Sequence, residues 1–184
     1  YYHYEGTFHV QVCTSRDNRI WSRPTRETFI PLGARGDFDC FIVSVAPGFV
    51  PLDEDRYALY YRSGNGPHGG SSVELSAAQK AQTASRVSRV VFKRDRIIGI
   101  EAGAEGGHFC TRPLCFSGSR LKLNVEPTGP EARLRVQLLA WEDDQPLEGY
   151  TFELCDPLGA DDLDAPVHWR GAAQIDAALV GKPV

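Results

Sequence analysis

With 184 residues the chain is long enough for one domain or two small ones. Its 24 acidic residues outnumber 20 basic ones and leave a net charge of −4, a balance that argues against a nucleic-acid backbone as the main partner. No apolar run approaches the length of a membrane-spanning helix, and Lys and Arg are scattered rather than gathered into a polybasic membrane patch.

Alternation of apolar and polar residues dominates the pattern and predicts half-buried strands. In chain order, Phe8, Val10 and Val12 alternate with His9, Gln11 and Cys13, and the turn Asp17-Asn18-Arg19 follows. Asp and Asn tolerate the left-handed conformation that a tight hairpin demands. From Phe38 to Val45 the polar face nearly vanishes, which predicts a strand covered on both sides. Tyr57, Leu59 and Tyr61 resume the alternation. Residues 63–85, rich in Gly, Ser, Ala and Gln, read as a long surface loop with a helical turn near Leu75 to Ala84. A second turn, Arg94-Asp95-Arg96, separates Val90–Phe92 from Ile97–Ile100 and predicts another hairpin. The Gly-rich step at residues 103–107 divides a first region, 1–102, from a second, 103–184. In the second, Leu121, Leu123 and Val125 alternate, as do Leu134, Val136, Leu138 and Ala140. The fold class expected is therefore all-β, with two sheet-rich regions in series.

The chain starts at Tyr1, contains no Met, and ends on Gly181-Lys182-Pro183-Val184, which resembles the lead into a further strand. These features suggest the C-terminal part of something larger. Five cysteines, Cys13, Cys40, Cys110, Cys115 and Cys155, match no zinc or redox spacing. Small buried core residues are expected of them, with a disulfide as the alternative, and an odd count leaves at least one thiol free.

Ser15-Arg16-Asp17-Asn18-Arg19-Ile20-Trp21-Ser22-Arg23-Pro24 has the form of a hairpin corner in which Ser15 and Asp17 bond turn amides and Trp21 covers a neighbouring strand. It resembles the corners of five-bladed β-propeller glycosidases of glycoside hydrolase families 32 and 43. Further along stand Phe29-Ile30-Pro31-Leu32-Gly33, Gly36-Asp37-Phe38-Asp39, Tyr57-Ala58-Leu59-Tyr60-Tyr61, Thr111-Arg112-Pro113-Leu114, Gly149-Tyr150, Cys155-Asp156-Pro157 and Val167-His168-Trp169-Arg170-Gly171. In this order they resemble the C-terminal half of bacterial family 32-like proteins. Asn18 stands where Gly is usual in them, and Asn tolerates the same turn.

The resemblance implies the terminal blades of a propeller over 1–102 and a β-sandwich over 103–184. One blade would take Tyr1–Tyr4, Thr7–Thr14 and Trp21–Ile30. The next would take Asp39–Val45, Arg56–Arg62, Arg86–Lys93 and Ile97–Glu101. It also implies a secreted or periplasmic hydrolase of glycosidic bonds, with a carbohydrate as partner and no cofactor or metal. A non-catalytic carbohydrate-binding or scaffold protein is the alternative. Glycoside hydrolysis needs two carboxylates across the scissile bond, and the resemblance places these on earlier blades, so no catalytic residue is assigned in this chain.

Residues for substrate contact are Asp37, Asp39, Tyr60, Tyr61 and His68. Asp39 either bonds sugar hydroxyls at the mouth of an inner strand or caps turn amides at its start. His68, in Gly66-Pro67-His68-Gly69-Gly70, either reaches a pocket or is a solvated loop residue. Of Tyr60 and Tyr61, one can stack on a sugar ring while the other points away. Trp21, Trp141 and Trp169 read as core or edge-covering residues, and Glu5 as a weak candidate near a channel. Asp156, Asp161, Asp162 and Asp164 form an acidic stretch that suits either calcium or, more simply, solvent. Phosphate-binding loops, His-Glu-x-x-His and serine nucleophile elbows are absent from the sequence.

Overall fold

The computed structural model describes residues 6–68 and 75–184. The expected strand at Tyr1–Tyr4 and Glu5 lie outside them, as does part of the Gly-rich loop around His68. Among the described residues the protein is all-β in character, with two antiparallel sheets and little helix. The chain divides into two compact units, Tyr1–Lys93 and Arg94–Val184.

In the first unit the sheet is built on β3 (Arg56–Gly64). Strands β1 (Ile42–Val45) and β2 (Val50–Pro51) pair with its two ends on one side. Strand β4 (Ser85–Lys93) runs along all of its other side, from Arg56 opposite Lys93 to Gly64 opposite Ser85. Because side chains alternate across a strand, this register sorts the residues into two faces. Val43, Leu59, Tyr61, Ser63, Val90 and Phe92 share one face, and there Val43, Leu59 and Tyr61 pack with Ile30 into the core. Ser63, fully buried, donates its hydroxyl to the carbonyl of Arg86 at 3.2 Å, so its burial leaves no orphan donor.

Strand β1 is covered at its centre as the sequence predicts. Ile42 and Val43 point to opposite faces and both are buried. Phe8 closes the edge of β1 that β3 leaves open, donating to Phe41 and accepting from Val43 in a parallel bridge. The covering stops short of the ends of the predicted run, where Phe38 and Val45 are 40% and 39% exposed.

The first turn forms as expected. Asn18 adopts a φ of 56°, and Asp17 Oδ1 accepts from the amides of Arg19 and Ile20 and from Ser15 Oγ. Those bonds, Ile20's amide foremost, hold the Asp17 carboxyl below its ordinary range. The flanking segments differ from expectation, for they meet only at the single bridges Val10–Ile30 and Thr14–Ser22. Pro24 supplies no backbone donor there, and Gln11 fills the lapse by donating its side-chain amide to the carbonyl of Arg26 at 2.6 Å. Between β3 and β4, α1 (Ala77–Ala81) lies within the span read as a helical turn. Its capping box, Ser76 with Gln79, satisfies two amides that a short helix otherwise leaves unpaired.

The second predicted hairpin does not form. Asp95 makes its left-handed turn at φ 59°, but residues 97–100 join no strand, and Ile98 and Ile100 are exposed. Arg94 and Arg96 are committed instead to β5 (Lys122–Val125) and β6 (Asp162–Pro166). Those two strands pair antiparallel with a register shift between Leu123 and Val125. The alternation at residues 134–140 also yields bridges, Leu134–Leu158 and Leu139–Pro146, in place of a strand. Its apolar face nonetheless turns to the core, for Val136 and Leu138, both half-buried, pack against Cys155, Val167, Trp169 and Ile175. Trp169 and Ala172 close a tight turn in which Arg170 and Gly171 both have positive φ, 53° and 78°, the geometry of a two-residue hairpin loop. Pro183 and Val184 run beside Leu114 and Cys115, so the terminal segment is itself paired.

Candidate functional site

The site grows from the turn that delivers the chain into β1. Asp37 closes it twice: its amide donates to the carbonyl of Ala34, and its Oδ2 accepts from the amide of Ala34 at 2.8 Å. This compact loop lays Asp37 and Asp39 against Gly33. A side-chain carbon added at Gly33 would collide with Asp39 Oδ1 and lie 2.8 Å from Asp37 Cβ and 3.0 Å from Asp37 Oδ2. Gly33 is thus the residue type that lets both carboxylates approach the backbone.

Tyr61 reaches the same place from the core face of β3. It is 8% exposed, and its hydroxyl lies 3.4 Å from Asp39 Oδ2 as donor. A bond at the long end of hydrogen-bonding range is weak, and a ligand hydroxyl can take over either partner. Burial first, and then the negative charge of Asp39, push the Tyr61 phenol above its ordinary value. Ser88, opposite Tyr61 on β4, opposes that rise through its hydroxyl. The Tyr61 hydroxyl thus stands as a donor beside an acceptor carboxylate, a pairing that a hydroxyl-bearing ligand can match.

Asp37, Asp39 and Tyr61 are brought together here. Asp37 spends one oxygen on the turn amide, the capping role that was the alternative for Asp39, whereas Asp39 faces Tyr61. Tyr60 points to the opposite face of the sheet, across from Arg89. His68 is exposed, with its ring stacked on Phe8 at 6.1 Å and its amide donating to the carbonyl of Gly6. Gly33 and Ser88 were missed in the sequence. The Gly-x-x-x-Asp-x-Asp spacing from Gly33 hints at the first, but the second needs the β3–β4 register, which no local pattern discloses.

Other singled-out residues fall elsewhere. Trp169 is buried in the second core, with its ring nitrogen donating to the carbonyl of Val136, while Trp21 and Trp141 are exposed rather than covering a core or an edge. Of the cysteines only Cys155 is buried and Cys40 is half-buried. Cys13, Cys110 and Cys115 are exposed, contrary to the expectation of core residues, and all five are free thiols. The acidic stretch is taken up by partners: Asp161 pairs with Arg96, Asp164 with Arg94, and Asp156 accepts from the amide of Gly171. Among the described residues no group of three or more His, Cys, Asp or Glu is placed to hold a metal ion. Comparison of the chain with protein-family models, with curated proteins and with solved structures finds no match.

Proposed function

We propose that this chain is part of a carbohydrate-active protein of the family 32-like type, with terminal propeller blades in its first region and a sandwich in its second. In this reading the Gly33–Asp39–Tyr61 corner contacts the sugar. The observation that carries it is the approach of Asp37 and Asp39 to Gly33, with the Tyr61 hydroxyl bonded to Asp39. Asp39 offers acceptor oxygens to vicinal hydroxyls, and the Tyr61 hydroxyl offers a donor. With Asp37 tied into its turn, the corner is suited to binding rather than to the acid–base work of hydrolysis. The acid pair of a glycosidase is accordingly not assigned to these residues. The same fact favours, as a second reading, a non-catalytic carbohydrate-binding protein.

Titration of the chain with a panel of neutral oligosaccharides tests the proposal. Asp39→Asn and Tyr61→Phe are each expected to weaken binding about tenfold, the effect of removing a hydrogen bond that involves a charged group. Binding that ignores both substitutions, or no binding to any oligosaccharide, overturns it. Release of reducing sugar from a bound oligosaccharide separates the hydrolase from the non-catalytic reading.

A further inference from the structure

The face of the first sheet turned away from Tyr61 is built differently. Its register sets Tyr60 directly opposite Arg89 and Arg62 directly opposite Val87. Residues directly opposite, or diagonal, on neighbouring strands lie about 5–8 Å apart, so two guanidinium groups flank one tyrosine and one valine. Arg62 and Arg89 are exposed, Val87 is 79% exposed, and Tyr60 is half-buried. Arg62 is oriented in advance, because its Nε and one terminal nitrogen both donate to Ser85 Oγ, at 3.2 and 3.0 Å. Among the described residues neither Arg62 nor Arg89 pairs with a carboxylate. Asp53, which bonds Arg56, belongs to the turn before β3 and so to the other end of the strand.

This placement runs against the character of the chain. Its net charge is −4, yet here two cations sit side by side with no acid strand residue facing them. Their mutual repulsion is relieved by an anion, and Arg suits a planar carboxylate through its fork of donors. Tyr60 and Val87 add an apolar surface between the charges, which favours a ligand with carbon faces as well as charge. A chain of uronic acids has both: carboxylates at regular intervals and sugar rings between them.

We propose that this face docks an acidic polysaccharide, with carboxylates on Arg62 and Arg89 and sugar rings against Tyr60 and Val87. The proposal rests on the carbohydrate reading above for the ligand's being a sugar, and it uses a surface distinct from the Asp39 corner. Acidic polymers thereby become the substrate or anchoring class of the protein.

Affinity electrophoresis of the 184-residue chain in gels containing polygalacturonate, dextran or single-stranded DNA is the test. Retardation is expected with polygalacturonate, little with dextran, and the effect should fade as salt rises. The Arg62→Gln/Arg89→Gln double variant should bind polygalacturonate at least about fivefold more weakly, the scale of two exposed charge contacts. Glu54→Gln, at an exposed position outside both surfaces, should leave this binding intact, and Arg62→Lys/Arg89→Lys should retain only part of it, because Lys keeps the charge without the fork. Absence of retardation by polygalacturonate, unchanged retardation of the double Gln variant, or stronger retardation by the DNA overturns the proposal. If Asp39→Asn proves silent toward neutral sugars while the double Gln variant loses polygalacturonate, the corner falls and this face stands. The converse pair of results assigns the failure to this face alone.

Discussion

The two units of the chain solve the same problem by different means. In the first, β3 and β4 pair without interruption from Arg56–Lys93 to Gly64–Ser85, and backbone bonds carry the sheet. In the second, regular pairing is confined to β5 and β6, and most other contacts between segments are single bridges. Proline marks some of the lapses, because it has no amide to give a ladder. Pro113, Pro127, Pro130, Pro146, Pro157, Pro166 and Pro183 punctuate the second unit, while β4 contains neither Pro nor Gly. Where ladders lapse, side chains take over their role. Trp169 donates to the carbonyl of Val136, the Tyr150 hydroxyl accepts from the amide of Asp176, and Arg96 donates to the carbonyl of Val125. Order in the second unit thus depends on a few side-chain hubs.

The largest expected effect follows from that difference. Trp169→Ala removes a ring that is 4% exposed, lies edge-on to Tyr150 and satisfies the Val136 carbonyl. It should cost about 3–5 kcal/mol, toward the upper end because an acceptor is orphaned as well as a cavity opened. Leu59→Ala in the first core should cost about 2–5 kcal/mol by cavity formation alone. Urea unfolding with hydrogen exchange reads both. Protection should vanish around residues 136–175 for Trp169→Ala and across β1, β3 and β4 for Leu59→Ala. Equal losses spread over the whole chain would erase the contrast between hubs and ladders.

Arg96→Met sharpens the same point with a smaller effect. The Arg96 side chain is 12% exposed and holds Asn124, the Val125 carbonyl, Asp161 and Glu126 together. Its carboxylate partners are 47% and 63% exposed, so solvent screens much of the ionic attraction. The hydrogen bonds to Asn124 and Val125 remain, and the substitution should cost about 1–3 kcal/mol. Thermal unfolding with and without 1 M salt (roughly a 3 Å screening length) separates the parts, since most of the loss should persist in salt. A loss that disappears in salt would make Arg96 a surface ion pair and nothing more.

The legibility of the sequence follows the same divide. The turn at Asp17–Arg19 and β3 were readable because each is set by local chemistry: left-handed tolerance and period-two alternation. The missing hairpin at Ile97–Ile100 was not, because its alternative is decided by Arg94 and Arg96 finding acids some 65–70 positions later. The run 134–140 misleads in a related way. Its apolar alternation marks the core-facing side, yet alternation does not state whether a partner can donate along the whole edge. Asp37, Asp39 and Tyr61 were visible as chemistry, but their division of labour was not. That Asp37 caps and Asp39 faces Tyr61 depends on the loop's close approach to Gly33.

The smallest prediction concerns Tyr61 itself. Burial and then the charge of Asp39 raise its phenol above the ordinary value of 10.0. Near pH 10 the unfolded phenol begins to ionise while the folded one keeps its proton. Above that point the unfolded chain binds fewer protons, so stability falls as pH rises. The contribution of Tyr61 is therefore complete below about pH 10 and is lost as pH climbs through the folded value. Phenylalanine keeps the ring and cannot ionise. At neutral pH the wild type should exceed Tyr61→Phe by up to about 1 kcal/mol, the net worth of its long bond to Asp39, and the gap should close as pH rises past 10. The remaining tyrosines are common to both proteins. Melting curves recorded from pH 7 to about 11 decide it: parallel curves would mean that neither burial nor the charge of Asp39 acts on the phenol, which removes the Asp39–Tyr61 contact on which the binding corner depends.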